Sequence, residues 1–151
     1  MSIESEIKST IELNINTKTV INILYTSKFI EDSFVTDLKP FDLSSQQYNV
    51  LRILRGQKGN PANLSTLQER MIDKSSNTTR LVDKLIQKDL AKRQICEANR
   101  RKVEIFITNK GLDLLKQLDP ITEQKNKQLI NKLSQEDLKI FNRILDTIRT
   151  R

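Results

Sequence analysis

Apolar residues return at helical intervals along most of this chain, and polar capping residues separate one run from the next. Between Thr17 and Leu38, the residues Val20, Ile21, Leu24, Ile30 and Phe34 fall at mostly helical spacing, which predicts a long amphipathic helix ended by Pro40. Ahead of it Ile3, Ile7 and Ile11 recur every fourth residue and predict a shorter helical arm. Nothing local covers the stripe on that arm, so it needs a partner. In "LSSQQYNVLRILRG" Ser44 is placed to cap a helix with Gln47 as its capping-box mate. Leu43 can staple onto Tyr48, and Gly56 supplies the stop. After a loop holding Gly59, Asn60 and Pro61, "LSTLQERMI" repeats the device with Ser65 and Gln68 and predicts a short helix ending near Ile72.

A tight turn through Asp73 and Lys74 leads into "SSNTTRLVDKL", which starts as small polar residues and becomes amphipathic without a Gly or Pro. A helix over about 75–90, capped by Ser75, puts Leu81, Val82, Leu85 and Ile86 on one side. Ser76, Arg80, Asp83 and Gln87 fall on the other. Lys92 to Glu97 and Lys102 to Ile107 are strand-like, with Val103, Ile105 and Ile107 alternating, so residues 92–107 read as a hairpin with a basic tip at Ala98, Asn99, Arg100 and Arg101. Thr108 then caps a helix carrying Leu112, Leu115 and Leu118, and Pro120 is expected to bend or interrupt it. Ser134 and Asp137 cap a last helix, where Leu138, Phe141, Leu145 and Ile148 form a narrow seam suited to helix pairing.

Composition narrows the class. A chain of 151 residues is one ordinary domain in size, and with only 3 Gly, 3 Pro and a 30% charged fraction it suits a mainly helical soluble protein. The first ten residues have no apolar core for a secretory signal, and no apolar run approaches membrane-spanning length, so a cytoplasmic protein without membrane contact is expected. The single cysteine, Cys96, excludes an internal disulfide. The absence of histidine removes the usual zinc ligand sets and any Ser–His or Cys–His nucleophile. No Gly-rich phosphate loop is present, and the acidic pairs Glu31 with Asp32 and Glu136 with Asp137 diverge on their helices. Neither an enzyme nor a bound metal or cofactor is expected.

The charge is +7 and unevenly placed: from Ala62 to Gly111 there are 11 Lys/Arg against 6 Asp/Glu, leaving 15 against 13 elsewhere. Short helix, tight turn, longer helix with an exposed polar start is the order of a helix-turn-helix, and the basic hairpin after it is placed as a wing. The free N–H groups and small side chains at Ser75, Ser76, Asn77 and Thr79 offer donors to phosphates and base edges, and Arg80 one turn on can reach a guanine. Arg100, Arg101 and Lys102 on the hairpin are shaped for phosphates and a minor groove. Taken alone, "SSNTT" is also an ordinary N-cap and "NRRK" an ordinary solvated tip; it is their order along the chain that favours DNA. A winged-helix module for protein or RNA contacts is the alternative. Against single-stranded RNA stands the lack of aromatic residues interleaved with the hairpin. Tyr25, Phe29 and Tyr48 could line a ligand cavity, although aromatic residues on helices also serve as plain core.

With cap, second helix and wing in place, the chain resembles the MarR (multiple-antibiotic-resistance regulator) family over nearly its whole length. "LSSQQYNVLRILRG", "SSNTTRLVDKLIQKDLAKR" and "NRRKVEIFITNKG" carry the resemblance, with helical segments at both ends. It implies a mainly α fold with a small β-hairpin wing: one unit over 1–151, with dimerisation helices at about 1–38 and 120–151 and a winged-helix DNA-binding region at about 43–118. It further implies a homodimeric, ligand-responsive repressor with the 75–90 helix in a major groove and the 92–107 wing in a minor groove of a pseudo-palindromic duplex. A small aromatic effector between the dimer and DNA-binding regions is implied more weakly. Asn99 departs from the family's Asp-Arg-Arg wing, so a salt bridge that would orient an arginine gives way to at most a hydrogen bond. Cys96 in the first wing strand and the lack of histidine disfavour the peroxide-sensing and zinc-sensing types.

Overall fold

The computed structural model describes all 151 residues. In chain order it runs α1 (Ile3–Glu6), α2 (Ile15–Leu38), one 3₁₀ turn (Lys39–Phe41), α3 (Ser45–Gly56), α4 (Leu64–Arg70), α5 (Thr78–Gln87), β1 (Ala91–Ile95), β2 (Val103–Ile107), α6 (Asn109–Ile130) and α7 (Gln135–Arg149). The expected mainly α fold with one small hairpin is the observed one. β1 and β2 pair antiparallel with Ala91 opposite Ile107 and Ile95 opposite Val103. Ala62 adds a short third rung: its N–H donates to the Ile105 carbonyl at 2.9 Å and its carbonyl accepts from the Ile105 N–H at 2.8 Å.

Most helix starts follow their local caps. Ser44 and Gln47 form a full capping box on α3, Ser134 and Asp137 another on α7, and the Thr108 hydroxyl accepts the Gly111 N–H to open α6. Two starts differ from expectation. α4 is capped by Asn63, which accepts the Thr66 N–H at 2.8 Å, and Ser65 lies inside the helix, its hydroxyl donating to the same Asn63 oxygen. α5 is capped by Asn77 and runs only from Thr78 to Gln87, because Ser75 is already committed upstream. The Asp73 carboxylate accepts both the N–H and the hydroxyl of Ser75, at 3.0 and 2.6 Å, and this closes the turn before a helix can begin. The left-handed Asp89, at φ 59°, closes the other end.

Three further expectations are corrected. Gly56 is the last helical residue of α3 and not its stop; the chain reverses at Lys58 and Gly59, with φ of 52° and 88°. Pro120 does not interrupt α6, which continues unbroken to Ile130. Proline costs a helix one hydrogen bond, and here the buried Leu118 and Thr122 on either side keep both halves seated on the same core. The N-terminal arm is a single turn in which Ile3 is buried, while Ile7 falls at its end and Ile11 beyond it. The helical spacing of the three isoleucines is real, but one turn is too short to hold itself helical in water.

The core lies under α3, α4, α5, the hairpin and the first half of α6. Val50, Leu51, Leu54, Leu67, Met71, Val82, Leu85, Ile105, Leu115 and Leu118 are all buried in it. Burying each side chain of this kind stabilises by roughly 1.5–3 kcal/mol. α2 contributes only Leu38, and α7 buries nothing. Leu24 and Phe29 on α2 are 65% and 61% exposed, and Phe141 and Ile148 on α7 are 47% and 57% exposed. The terminal helices therefore keep an apolar surface that the protomer itself does not cover.

Candidate nucleic-acid interface

α4, the turn and α5 form a helix-turn-helix whose joint is held by side chains. The hydroxyl of buried Thr78 donates to Gln68 on α4, and the Gln68 amide donates to the Lys74 carbonyl at 2.8 Å. Ahead of the turn, the Asn49 side chain on α3 accepts the Ile72 N–H at 2.9 Å. These bonds fix the angle at which α5 leaves the domain. Its apolar face carries buried Val82 and Leu85, and its opposite face presents Thr79, Arg80 and Asp83 to solvent.

The sequence-derived site residues divide into distinct roles here. Ser75 and Ser76 belong to the turn: the Ser75 hydroxyl is taken by Asp73, and the Ser76 oxygen is buried with no hydrogen-bond partner. Hydrogen bonds from the hydroxyl and N–H of Ser75 hold the Asp73 carboxyl below its ordinary pKa. Asn77 spends its side-chain oxygen on the Arg80 N–H at 3.1 Å, which leaves its amide group to face outward chemistry as a donor. Thr79 and Arg80 are exposed in the first turn of α5. Arg100, Arg101 and Lys102 are exposed at the hairpin tip, and none of them, nor Arg80, is in an ion pair. The tip is a set of uncompensated cations. Asn99 accepts the Arg101 backbone N–H at 3.1 Å, so it shapes the turn and leaves both guanidinium groups unrestrained.

One element was missed by sequence reasoning. Arg93 on β1 pairs with Asp83 on α5 at 2.6 Å, with side chains 39% and 50% exposed. The pair braces the wing against the second helix and offsets the one carboxylate that α5 would otherwise hold toward a polyanion. Nothing in the ten-residue spacing signals this, because the contact depends on the turn at Asp89 folding β1 back along α5. Lys92 opposes Phe106 in the ladder, and its ammonium lies 5.4 Å from the ring centre. Cys96 is half-buried where β1 enters the tip, its N–H donating to the Lys102 carbonyl at 3.1 Å.

Behind the turn lies a cavity of about 660 Å³ walled by α2, α3, α6 and residues Met71 to Asp73. Tyr48 lines it, with Arg52 5.8 Å from the ring centre, while Tyr25 and Phe29 do not. Tyr25 instead donates to Glu6 at 3.0 Å, and that bond raises its pKa. At the cavity wall Arg55 grips Asp119 through three hydrogen bonds of 2.9–3.1 Å, which ties α3 to α6 and raises the arginine's pKa further. No helix is long and apolar enough to cross a membrane.

Comparison with known proteins agrees with this geometry. The MarR family model matches residues 43–103, from the lead-in to α3 through the start of β2. The HTH-type transcriptional regulator MhqR of Bacillus subtilis (strain 168) is 27% identical over 119 residues, covering 79% of this chain and 81% of the relative. Among solved structures, the organohalide-sensing transcriptional regulator RdhR-CbdbA1625, in its 2,4-dichlorophenol-bound form, superposes with a TM-score of 0.82 at 20% identity, covering 91% of this chain and 80% of that one. Bordetella bronchiseptica BpsR, whose DNA binding is regulated by 6-hydroxynicotinic acid, superposes with a TM-score of 0.76 at 21% identity, covering 87% and 99%. A helix-turn-helix braced to a basic hairpin is thus matched by the MarR family model over residues 43–103, and its fold is shared with solved transcription regulators over nearly the whole chain.

Proposed function

We propose that this chain works in the cytoplasm as a homodimeric, ligand-responsive repressor that binds a specific double-stranded DNA site. The observation that carries this reading is the pairing of an exposed polar first turn on α5 with an uncompensated basic hairpin tip, joined by the Arg93–Asp83 brace. α5 enters a major groove, where Asn77, Thr79 and Arg80 meet base edges and the Ser75–Ser76 turn lies against phosphate. The wing enters the neighbouring minor groove, where Arg100, Arg101 and Lys102 supply charge. Residues 1–38 and 120–151 form the dimer, which covers the apolar surface of α2 and α7, and residues 43–118 bind DNA. Two copies related by a twofold axis read a pseudo-palindromic site. The cavity behind the turn holds the effector, in line with the ligands of RdhR-CbdbA1625 and BpsR.

Selection of bound duplexes from a random DNA pool tests this, with a salt-controlled shift assay on single-stranded RNA beside it. An enriched inverted-repeat duplex is the expected result, and Asn77→Ala and Arg80→Ala are each expected to weaken that site by about 1–3 kcal/mol and relax particular positions. Enrichment of no duplex, or tighter binding of single-stranded RNA, would overturn the reading.

A further inference from the structure

The joint between α4 and α5 contains a polar pair at the end of an otherwise apolar stripe. Thr78, the first residue of α5, is 6% exposed, and its hydroxyl donates to the Gln68 side-chain oxygen on α4. The amide nitrogen of the same side chain donates to the Lys74 carbonyl at 2.8 Å. A carbonyl can only accept, so the nitrogen must face Lys74, and the Gln68 oxygen is left for a hydroxyl that must donate. One half-buried side chain therefore clasps the turn on both sides, at Lys74 before it and at Thr78 after it.

α5 seats on the core through Thr78, Val82 and Leu85, which share one face. Val82 and Leu85 are held by burial, which is non-directional. The Thr78–Gln68 bond is directional, and it sits at the reading end of the helix: Thr78 stands between Asn77 and Thr79 and two residues before Arg80. For a helix about 10–12 Å across, a roll of about 10° moves a side-chain tip by about 1 Å. Such a roll leaves Val82 and Leu85 buried, yet it spoils a base-edge hydrogen bond, whose length spans only about 2.7–3.2 Å. The pair also has no spare partner. Removing either side chain leaves polar groups in the joint unpaired, whereas an apolar pair of the same shape fills it without them.

We infer that Gln68 and Thr78 are positioning residues that set the roll of α5 and so its base selectivity, and that apolar packing can replace them for folding but not for reading DNA. This rests on the DNA-binding reading above and adds to it two residues that touch no base. The test crosses shape against bond. Thr78→Val keeps the shape and removes the hydroxyl, Thr78→Ser keeps the hydroxyl and removes a methyl, and Gln68→Met with Thr78→Val makes the whole pair apolar. Each full-length variant is melted by circular dichroism and titrated by anisotropy with the selected duplex and with a scrambled duplex of equal length and composition. Thr78→Ser is expected to keep the parent's ratio of selected to scrambled affinity within about twofold, while Thr78→Val and the double variant lose at least about tenfold of it, the discrimination carried by one base pair. The loss should fall on the selected duplex, because phosphate contacts carry no sequence information. Thr78→Val should melt below the parent, and the double variant should recover part of that loss; if Thr78→Val does not fold, the double variant carries the comparison. Valine variants that discriminate as the parent does, or a serine variant that discriminates as poorly as they do, would overturn the inference. So would a double variant that cannot fold, since the pair would then serve stability. A parent that selects no duplex would instead bring down the DNA-binding reading, a result visible before any variant is made.

Discussion

Replacing Gly111 with alanine tests how tightly the base of the wing is fitted against α6. A Cβ built at Gly111 meets the Leu90 carbonyl oxygen at 2.4 Å and Ile107 Cγ1 at 2.7 Å. Ordinary contact begins near 3.4 Å, so the carbonyl must retreat by about 1 Å. It is poorly free to do so, because it accepts the Thr108 N–H at 3.1 Å while the Thr108 hydroxyl holds the neighbouring Asp89 carbonyl at 2.7 Å. Overpacking of this kind costs about 1–3 kcal/mol, and the better helix propensity of alanine returns about 1 kcal/mol. The net is a loss of up to about 2 kcal/mol, or a midpoint lower by up to about 8 °C for a chain of this length. Gly56→Ala is the control: it is helical and its Cβ meets nothing within 4 Å, so it should gain about 0.5–1 kcal/mol. Urea and thermal melts followed by circular dichroism, at one protein concentration because self-association would make stability depend on it, read both. Gly111→Ala should also bind the selected duplex less tightly with its base preference unchanged, since Leu90 and Ile107 flank the two wing strands. If the two alanines move stability in the same direction, the close approach at Gly111 is not real.

Arg100→Ala or Arg101→Ala should lower the log–log salt slope of duplex binding by about 1.8, two phosphate contacts per symmetric dimer, as read by anisotropy at several salt concentrations; a slope matching the parent's would remove the wing from the DNA. Arg93→Ala should weaken duplex binding by exposing Asp83 to phosphate, and adding Asp83→Asn should restore part of it. Folding stability should move by less than about 1 kcal/mol in the same cycle, because the pair is half-exposed. Leu145→Asp should leave monomer or unfolded chain in light scattering, as each buried seam side chain is worth roughly 1.5–3 kcal/mol, and an unmodified protein that is monomeric at micromolar concentration would refute the covered-seam argument. Acid should loosen the turn before α5. The Asp73 carboxyl is held below its ordinary pKa by Ser75, so its contribution is present above the unfolded value of about 3.9 and lost as pH falls through the lower folded one. Urea midpoints between pH 5 and pH 3 should therefore fall more steeply in the parent than in Asp73→Asn.

Local chemistry made much of this molecule readable in advance. Ser44 with Gln47, Thr108, and Ser134 with Asp137 open their helices where a reader of the chain would put them, because a cap and the groups it satisfies lie within four residues. The period of the apolar positions likewise revealed the buried face of α5 and the alternation of β2. The exposed Thr79 and Arg80 and the basic tip were legible for the same reason, although Thr78 in the same polar run is buried by its bond to Gln68.

What a single capping rule left open was settled partly by competing neighbours and partly by groups far apart in the chain. Ser75 and Ser65 are competent caps, yet Asp73 takes Ser75 and Asn63 caps α4 from two residues upstream of Ser65, so both starts are decided by competition between near neighbours, and the Gln68–Thr78 bond from α4 then holds the first residue of α5 in place. Pro120 should break a helix by its own geometry, yet burial of Leu118 and Thr122 and the Arg55–Asp119 clamp hold α6 together across it. The Arg93–Asp83 brace and the cavity behind the turn exist only because the chain returns on itself. The sequence alone thus determined which segments are helix or hairpin and which faces are polar, since those follow from interactions within one or two turns. The brace, the Gln68–Thr78 lock and the continuity of α6 across Pro120 were decided by tertiary structure, because each depends on side chains distant in the chain meeting in one place.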